Sequence, residues 1–257
     1  MIAAVGVELP ERWAAHPVVV TESAHHAWDA TAAWWADDAL LLRLHHRVPS
    51  EPQGLGLYGV GSPEGVARLL LGAGSLDPVG RTTMPRGTRA ALARIVAASG
   101  VVVPAPFDAP APSQWDWMSA DHVLVPVPGE DHVEELTDER GLAEARAALA
   151  VAHPEGELEV GEPRSRWWGW RDDDGVLRAV VGADRRVPGA PWVLGSIGTD
   201  PAWRRRGIAA ATTAVAVRAG LREAPIVALG MYADNDAARR TYARVGFVVV
   251  QEFESSR

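Results

Sequence analysis

The sequence predicts an α/β protein, a mixed sheet covered by helices, arranged as two domains. Short apolar runs of strand length alternate along the chain with segments of helical periodicity, which is the pattern of such layered folds. The length of 257 residues suits one to two domains. Pro-containing stretches at residues 104–112 and 123–132 interrupt the alternation, so we predict domains at residues 1–125 and 131–257.

Composition narrows the class of protein. The net charge of −8 argues against a general nucleic-acid binder, which needs a basic face. No segment has the apolar length of a membrane helix, and the N-terminus lacks the basic region of a signal peptide. The absence of cysteine excludes disulfides and thiol nucleophiles and fits a cytoplasmic location. The histidines lack carboxylates at metal-ligand spacing, so no metal site is expected.

The first half is predicted to mix strands and helices. Ala39–Leu44 fits a strand or the end of a helix that begins near Ala24, and the pattern leaves both open. The other predicted elements are a strand at Leu55–Val60, helices at Pro63–Leu71 and Thr88–Ala98, a strand at Val101–Val103 and a linker at Pro104–Pro112.

The second half has a more regular rhythm. Its Asp172–Gly175 run supplies residues that tolerate positive φ, which predicts a hairpin turn. The predicted elements are strands at Val133–Leu136, Arg166–Arg171, Val176–Gly182, Trp192–Thr199, Ile226–Tyr232 and Phe247–Glu252, and helices at Asp138–Ala152, Arg205–Ala219 and Asp236–Val245.

Gly195–Ala210 has the features of an anion site. A strand runs through a Pro-containing turn and the arginines Arg204–Arg206 into an Ala-rich helix. The first N–H groups of a helix have no internal partner, and small residues such as Gly207 and Ala209 leave the backbone open to a phosphate. Taken alone, an Arg triplet is also typical of a solvated face, and Gly-x-Ala of close helix packing.

The segment Leu229–Phe247 favours the anion-site interpretation. It reads as a strand, a helix capped by Asn235 or by Asp234 beside it, and a Gly246 stop before another strand. Tyr242 shares a helical face with Asn235, and its hydroxyl can donate a proton. A helical tyrosine of this kind is also often a core residue.

Together the two segments resemble the GNAT superfamily of acyl-CoA-dependent N-acyltransferases. The family's first signature, Arg/Gln-x-x-Gly-x-Gly/Ala after a strand, appears here as Arg204, Gly207 and Ala209. Its second signature, an Asn, a helix with Ala and Tyr, and then Gly-Phe, appears as Asn235, Ala238, Tyr242, Gly246 and Phe247. The resemblance covers about residues 131–257.

The resemblance implies a sheet split into a V between the strands at 192–199 and 226–232, with the pantetheine arm of acetyl-CoA in the V. It implies that an acceptor amine attacks the thioester directly and that Tyr242 protonates the leaving thiolate. The residues that the resemblance places at the acyl-CoA are Ile197, Gly198, Thr199, Arg204, Arg205, Arg206, Gly207, Ile208, Ala209, Ala210 and Asn235.

One departure from the family concerns the general base. Many members carry a Glu on the strand before the Arg-Gly segment, but Trp192–Thr199 has no carboxylate. A water chain, Ser196, or one of Glu157, Glu159 and Glu162 are the open alternatives.

The first half lacks the Arg/Gln-x-x-Gly-x-Gly/Ala signature, which leaves it as a degenerate copy of the same fold or an unrelated α/β lid. Several of the 11 tryptophans are clustered, and these are expected either to wall an acceptor pocket or to fill the core or the interface between the halves. The clusters are Trp34-Trp35, Trp115 with Trp117, and Trp167-Trp168 with Trp170. The predicted activity is transfer of an acetyl group from acetyl-CoA to a primary amine of a small molecule or peptide. The alternatives are a non-catalytic acyl-CoA sensor and a mycothiol-synthase-like acetyltransferase.

Overall fold

The computed structural model describes residues 6–45, 55–74, 79–99, 107–108, 113–123 and 125–256. These residues divide into two compact units. Unit 1 takes its residues from Met1–Trp117, Tyr232–Asp234 and Val250–Arg257, and unit 2 from Met118–Met231 and Asn235–Val249. Among the described residues, no helix is both long enough and apolar enough to span a bilayer.

Unit 1 begins with helices and continues as an open sheet. Its helices are α1 (Glu11–Ala14), α2 (Pro17–His26), α3 (Pro63–Gly72) and α4 (Thr88–Ser99). Its strands are β1 (Ala30–Trp35), β2 (Ala39–His45), β3 (Leu55–Gly61), β4 (Val79–Pro85) and most of β5 (Ser113–Ala120). Proline at the first helical position starts α2 and α3, because its missing N–H would have no helical partner there.

The sheet of unit 1 also contains the last strand of the sequence, β11 (Val248–Ser256), through residues 250–256. β1, β2 and β3 are antiparallel neighbours, β3 and β4 run parallel, and β11 lies antiparallel on β4 with Phe253 opposite Pro85. Helices α3 and α4 bury Val66, Leu70 and Leu92 in the core of this unit.

Unit 2 repeats the alternation of strands and helices. Its elements are β6 (Val133–Glu135), α5 (Glu139–Ala152), β7 (Ser165–Arg171), β8 (Leu177–Asp184), β9 (Trp192–Thr199), α6 (Ile208–Leu221), β10 (Val227–Tyr232) and α7 (Asp236–Val245). The last residue of β10, Tyr232, is grouped with unit 1. The strand order is β10-β9-β8-β7-β6, in which only β10 and β9 are parallel to each other. Helix α6 is largely buried, because its many small side chains let it approach the sheet closely.

The two units share one order of elements. From α2, unit 1 runs through three antiparallel strands, a helix, a parallel strand, a helix and a strand, β1-β2-β3-α3-β4-α4-β5. From α5, unit 2 and β11 follow the same order as β7-β8-β9-α6-β10-α7-β11. In both, the parallel pair consists of the third strand and the strand after the next helix.

The predicted α/β class with a mixed sheet is confirmed, with local corrections. The helix in the Ala24 region ends at His26, so Ala39–Leu44 belongs to a strand, β2. Sequence reasoning missed β1, β4 and β5. Helix α6 begins at Ile208 and not at Arg205, because Arg205 and Gly207 have positive φ. The predicted strand Val101–Val103 lies outside the described residues, as does the predicted linker Pro104–Pro112 apart from 107–108.

Candidate functional site

The sheet of unit 2 splits between β9 and β10. Their parallel pairing covers three residue pairs, from Trp192–Val227 to Leu194–Leu229. Beyond Leu194, β9 continues to Thr199 beside β8, while β10 continues separately. The predicted V-shaped opening therefore lies where these two strands diverge.

A β-bulge in β9 accompanies the split. Gly195 lies opposite Gly182 and Gly198 opposite Val180, so Ser196 and Ile197 together face a single residue of β8. Ser196 has φ of +50°, a left-handed conformation that is uncommon for a residue with a side chain. Its hydroxyl accepts a hydrogen bond from the Leu158 N–H at 2.9 Å. The Ser196 hydroxyl therefore holds the segment after α5 in place, which gives it a structural role.

The turn between β9 and α6 contains residues Arg204–Ala210, where the sequence predicts an anion site; we call this segment the cradle. Arg205 has φ of +63° and Gly207, the N-cap of α6, has φ of +83°. The first hydrogen bond that closes the helix runs from the Ala211 N–H to the Gly207 carbonyl. Within the described part of the chain, the N–H groups from Arg205 to Ala210 have no hydrogen-bond acceptor. A side chain built at Gly207 would meet no atom within 4 Å. These residues fit a phosphate, which needs open donors and open space.

The Arg204 side chain does not extend into this open space. Its Nε donates to the Thr199 carbonyl at 3.1 Å and its Nη2 to the Ala152 carbonyl at 3.2 Å. The end of α5 can come this close to β9 because residue 198 is glycine, where a Cβ would lie 2.8 Å from the Ala152 Cβ. Arg204 therefore fastens the cradle to the end of α5. The Thr199 hydroxyl is buried and has no partner among the described residues.

Helix α7 carries the second motif. The Asn235 side chain accepts the Ala238 N–H at 3.1 Å, so Asn235 rather than Asp234 is the N-cap. Gly246 ends the helix with φ of +116°, as its predicted C-terminal position requires. The cap hydrogen bond fixes Asn235 at the end of β10.

Tyr242 lies in the core of unit 2, 9% exposed, with its ring edge-on to Phe247 at a centroid distance of 6.0 Å. Burial raises the pKa of Tyr242 to about 12. Its hydroxyl makes no hydrogen bond to any residue that the structure describes. The Tyr242 phenol is therefore protonated at physiological pH and can donate a hydrogen bond.

The three open candidates for the base, Glu157, Glu159 and Glu162, are exposed and lie on the segment between α5 and β7. β9 itself has no carboxylate, as its sequence already showed. Next to it, the buried Asp184 at the end of β8 is bound by Arg164 at 2.8 Å. The geometry gives none of the three glutamates precedence.

Trp203 is a residue of this region that sequence reasoning missed. The Arg206 guanidinium carbon lies 4.5 Å from its ring centroid, and that of Arg178, from β8, lies 5.0 Å away. Such stacking is favourable because the ring face is electronegative. The Arg178 partner is 25 residues away in sequence, so no local pattern indicates it.

Most of the clustered tryptophans are core residues. Trp117 belongs to unit 1, and Trp167, Trp168 and Trp170 belong to unit 2; each is buried. Trp35 is exposed at the end of β1. The core interpretation therefore describes these buried tryptophans better than a pocket wall does.

Unit 2 therefore combines a sheet split between β9 and β10 with an open N-terminus at α6. Residues 130–247 match the family model described as the acetyltransferase (GNAT) family, so this part of the chain is a GNAT acetyltransferase domain. The resemblance predicted from the two motifs is confirmed. The chemistry of this family is acyl transfer.

Solved structures show likeness at low identity. A Drosophila protein has a TM-score of 0.51 and 16% identity over 84% of this chain and 77% of its own. A protein assigned to the GNAT acetyltransferases from Novosphingobium aromaticivorans has a TM-score of 0.48 and 22% identity, over 93% and 94% of the two chains. A GCN5-related N-acetyltransferase from Kribbella flavida has a TM-score of 0.48 and 17% identity, over 88% of each chain. No curated protein matches the sequence.

Proposed function

We propose that this protein transfers an acetyl group from acetyl-CoA to a primary amine of a small molecule or peptide. The observation that carries the proposal is the set of open N–H groups from Arg205 to Ala210 beside the split between β9 and β10. A diphosphate needs several converging donors, and the positive end of the α6 dipole adds to them. The split gives an extended pantetheine arm a backbone edge to lie along, at Ile197–Thr199.

In this proposal, the amine nitrogen attacks the thioester carbonyl carbon, the carbon–sulfur bond breaks, and the amine proton leaves to a base or to water. The departing thiolate accepts a hydrogen bond from Tyr242. A thiol has an ordinary pKa of about 8.5, so a phenol whose pKa is about 12 is the weaker acid: it stabilises the thiolate by donating a hydrogen bond, and the proton that the thiol finally carries comes from water. Tyr242 therefore acts first as a donor to the developing negative charge and is ready at any physiological pH.

A second candidate function is a non-catalytic acyl-CoA sensor. The observation that favours it is the missing carboxylate on β9, together with the use of the Ser196 hydroxyl by Leu158. A sensor binds acetyl-CoA and releases no thiol from it. The mycothiol-synthase-like activity is a narrower form of the enzyme proposal, and activity on an amino-sugar conjugate of cysteine is its test. A cytoplasmic location also stays a prediction.

We further propose that unit 1 is a degenerate copy that holds no acyl-CoA. Its counterpart of the cradle, between β3 and α3, is closed by the chain's own groups. The Gly65 N–H donates to the Ser62 hydroxyl at 2.9 Å, and Ser62 donates in turn to the Asp38 carboxylate at 2.5 Å. The Gly61 N–H donates to the Gln251 side chain at 2.9 Å. A carboxylate at the start of α3 also repels a phosphate there.

Two measurements test these proposals on the full chain. In the first, acetyl-CoA and a panel of primary amines are incubated with the protein and the free thiol is quantified. Binding of acetyl-CoA without thiol release over the whole panel contradicts the enzyme proposal and supports the sensor. In the second, isothermal titration with CoA measures stoichiometry. One molecule per chain is expected, and two would contradict the closed state of unit 1.

A further inference from the structure

Trp203 contacts two guanidinium groups that differ in their surroundings. Arg178 is held by Asp172 at 2.7 Å and by Asp200 at 3.3 Å, so its charge is matched by carboxylates. Arg206 is exposed and forms no ion pair with any described residue. In a chain of net charge −8, a cation fixed in place without a carboxylate suggests an external anion.

The stack determines where the Arg206 charge is held. The 3₁₀ turn Pro201–Trp203 precedes the cradle, and Trp203 packs beside Ile208 at the start of α6. The Arg206 guanidinium carbon lies 4.5 Å from the centroid of the Trp203 ring, so the side chain is held against the residue that ends this turn. Its planar fork of donors is therefore fixed at Trp203, next to the cradle in sequence.

This inference rests on the proposed function. CoA has two kinds of anionic group, the diphosphate and the 3′-phosphate on the ribose. The open backbone N–H groups fit the diphosphate, and Arg205, which starts the left-handed turn, lies among them. The remaining anion is the 3′-phosphate, and Arg206 is the cation fixed at Trp203. We propose that Arg206, positioned by Trp203 and Arg178, binds the 3′-phosphate and selects CoA over its dephospho form.

The test compares affinities for CoA and for 3′-dephospho-CoA by isothermal titration, which needs no catalysis. A charge-assisted contact of this type corresponds to about a 10- to 100-fold preference of the wild type for CoA. In Arg206→Gln, the preference is expected to fall to about 2-fold or less, with the affinity for dephospho-CoA unchanged. In Arg205→Gln, both affinities are expected to fall by the same factor, and the preference to stay.

Two further variants separate positioning from folding. Arg222→Gln removes the same charge at the C-cap of α6, at the opposite end of the helix, and is expected to leave both affinities unchanged. Trp203→Leu keeps an apolar contact with Ile208 but removes the ring face, and is expected to lower the preference by about half of the Arg206→Gln effect on a logarithmic scale. Melting temperatures of all variants show whether each is folded.

The outcomes distinguish this inference from the proposed function. A wild type that binds both ligands equally, or an Arg206→Gln variant that keeps the full preference, overturns the 3′-phosphate assignment and leaves acyl-CoA binding intact. Equal loss of both ligands in Arg206→Gln also overturns it, since Arg206 then serves the diphosphate. A wild type that binds neither ligand overturns the proposed function itself, and this assignment with it.

Discussion

Replacing Gly207 with alanine tests whether the open space at the start of α6 binds a phosphate group. Gly207 has φ of +83°, where a residue with a Cβ is strained by about 1–2 kcal/mol. Its added Cβ would meet no protein atom within 4 Å, so no steric clash adds to that strain. Alanine also stiffens the unfolded chain, which offsets part of the loss. The free energy of unfolding is therefore expected to fall by about 1 kcal/mol.

Gly189 provides the matched control. It has φ of +80° in the loop between β8 and β9, and an added Cβ there would also meet nothing within 4 Å. Gly189→Ala should therefore lose the same stability as Gly207→Ala, to within about 0.5 kcal/mol. Only the Gly207 variant places a methyl group where the phosphate is proposed to bind.

The binding consequence follows from the N–H groups that the methyl group displaces from the anion. Losing one charge-assisted hydrogen bond costs about 1.5–3 kcal/mol, which is roughly a 10- to 100-fold rise in the dissociation constant for CoA. Denaturant unfolding measures the stability of both variants and isothermal titration the affinity. Equal CoA affinities in the two alanine variants would refute the assignment of the cradle.

Three other predictions concern single groups. Tyr242→Phe should lower kcat by roughly 10²–10⁴-fold and leave the affinity for CoA unchanged. Because the pKa of Tyr242 is about 12, the wild-type rate should show no alkaline loss from this phenol below about pH 11. An unchanged kcat in the variant would remove Tyr242 from the reaction. Gly198→Ala should destabilise unit 2 by about 1–3 kcal/mol, because the added Cβ would overlap Ala152. In a double-mutant cycle, Ala152→Gly should restore part of that loss. Strictly additive losses of stability would contradict the contact between residues 198 and 152. Burial alone would raise the pKa of Glu22, but hydrogen bonds from His26 and Trp117 hold it below its ordinary value, so Glu22→Gln should lower stability by about 1–2 kcal/mol at pH 7. That difference should shrink as pH falls below about 4.5, and unfolding curves that keep it constant with pH contradict the prediction.

The sequence predicted unit 2 better than unit 1 for physical reasons. In unit 2 the caps are local: Asn235 and Gly246 lie at the ends of the helix they define. In unit 1, strand β5 (Ser113–Ala120) contains a fully buried aspartate, Asp116. A charged residue in the middle of the segment hides its strand pattern when the sequence is read alone. The charge is tolerated because Arg86 lies 2.5 Å from it. No pattern within a short segment can indicate a partner 30 residues away.

The candidate site shows the same division. Its backbone features, the open position at Gly207 and the caps of α7, were predictable because glycines and capping residues at fixed spacing specify local geometry. Its side-chain contacts were not. Arg204 bonds to the Ala152 carbonyl across 52 residues, and Trp203 meets Arg178 across the turn from β8. Such contacts depend on which strands become neighbours, and the sheet order is a property of the folded chain.

The pairing of β11 with β4 has a consequence for biosynthesis. The edge of β4 inside unit 1 is completed by residues 250–256, which the ribosome adds after all of unit 2. Between Trp117 and Val250, translation lasts on the order of ten seconds, and throughout that time the β4 edge is without its native neighbour. An uncovered strand edge is a template for pairing with other chains. The nascent chain therefore carries an uncovered strand edge until residues 250–256 have been synthesised, and we expect chaperones that cover such edges to bind it during that time.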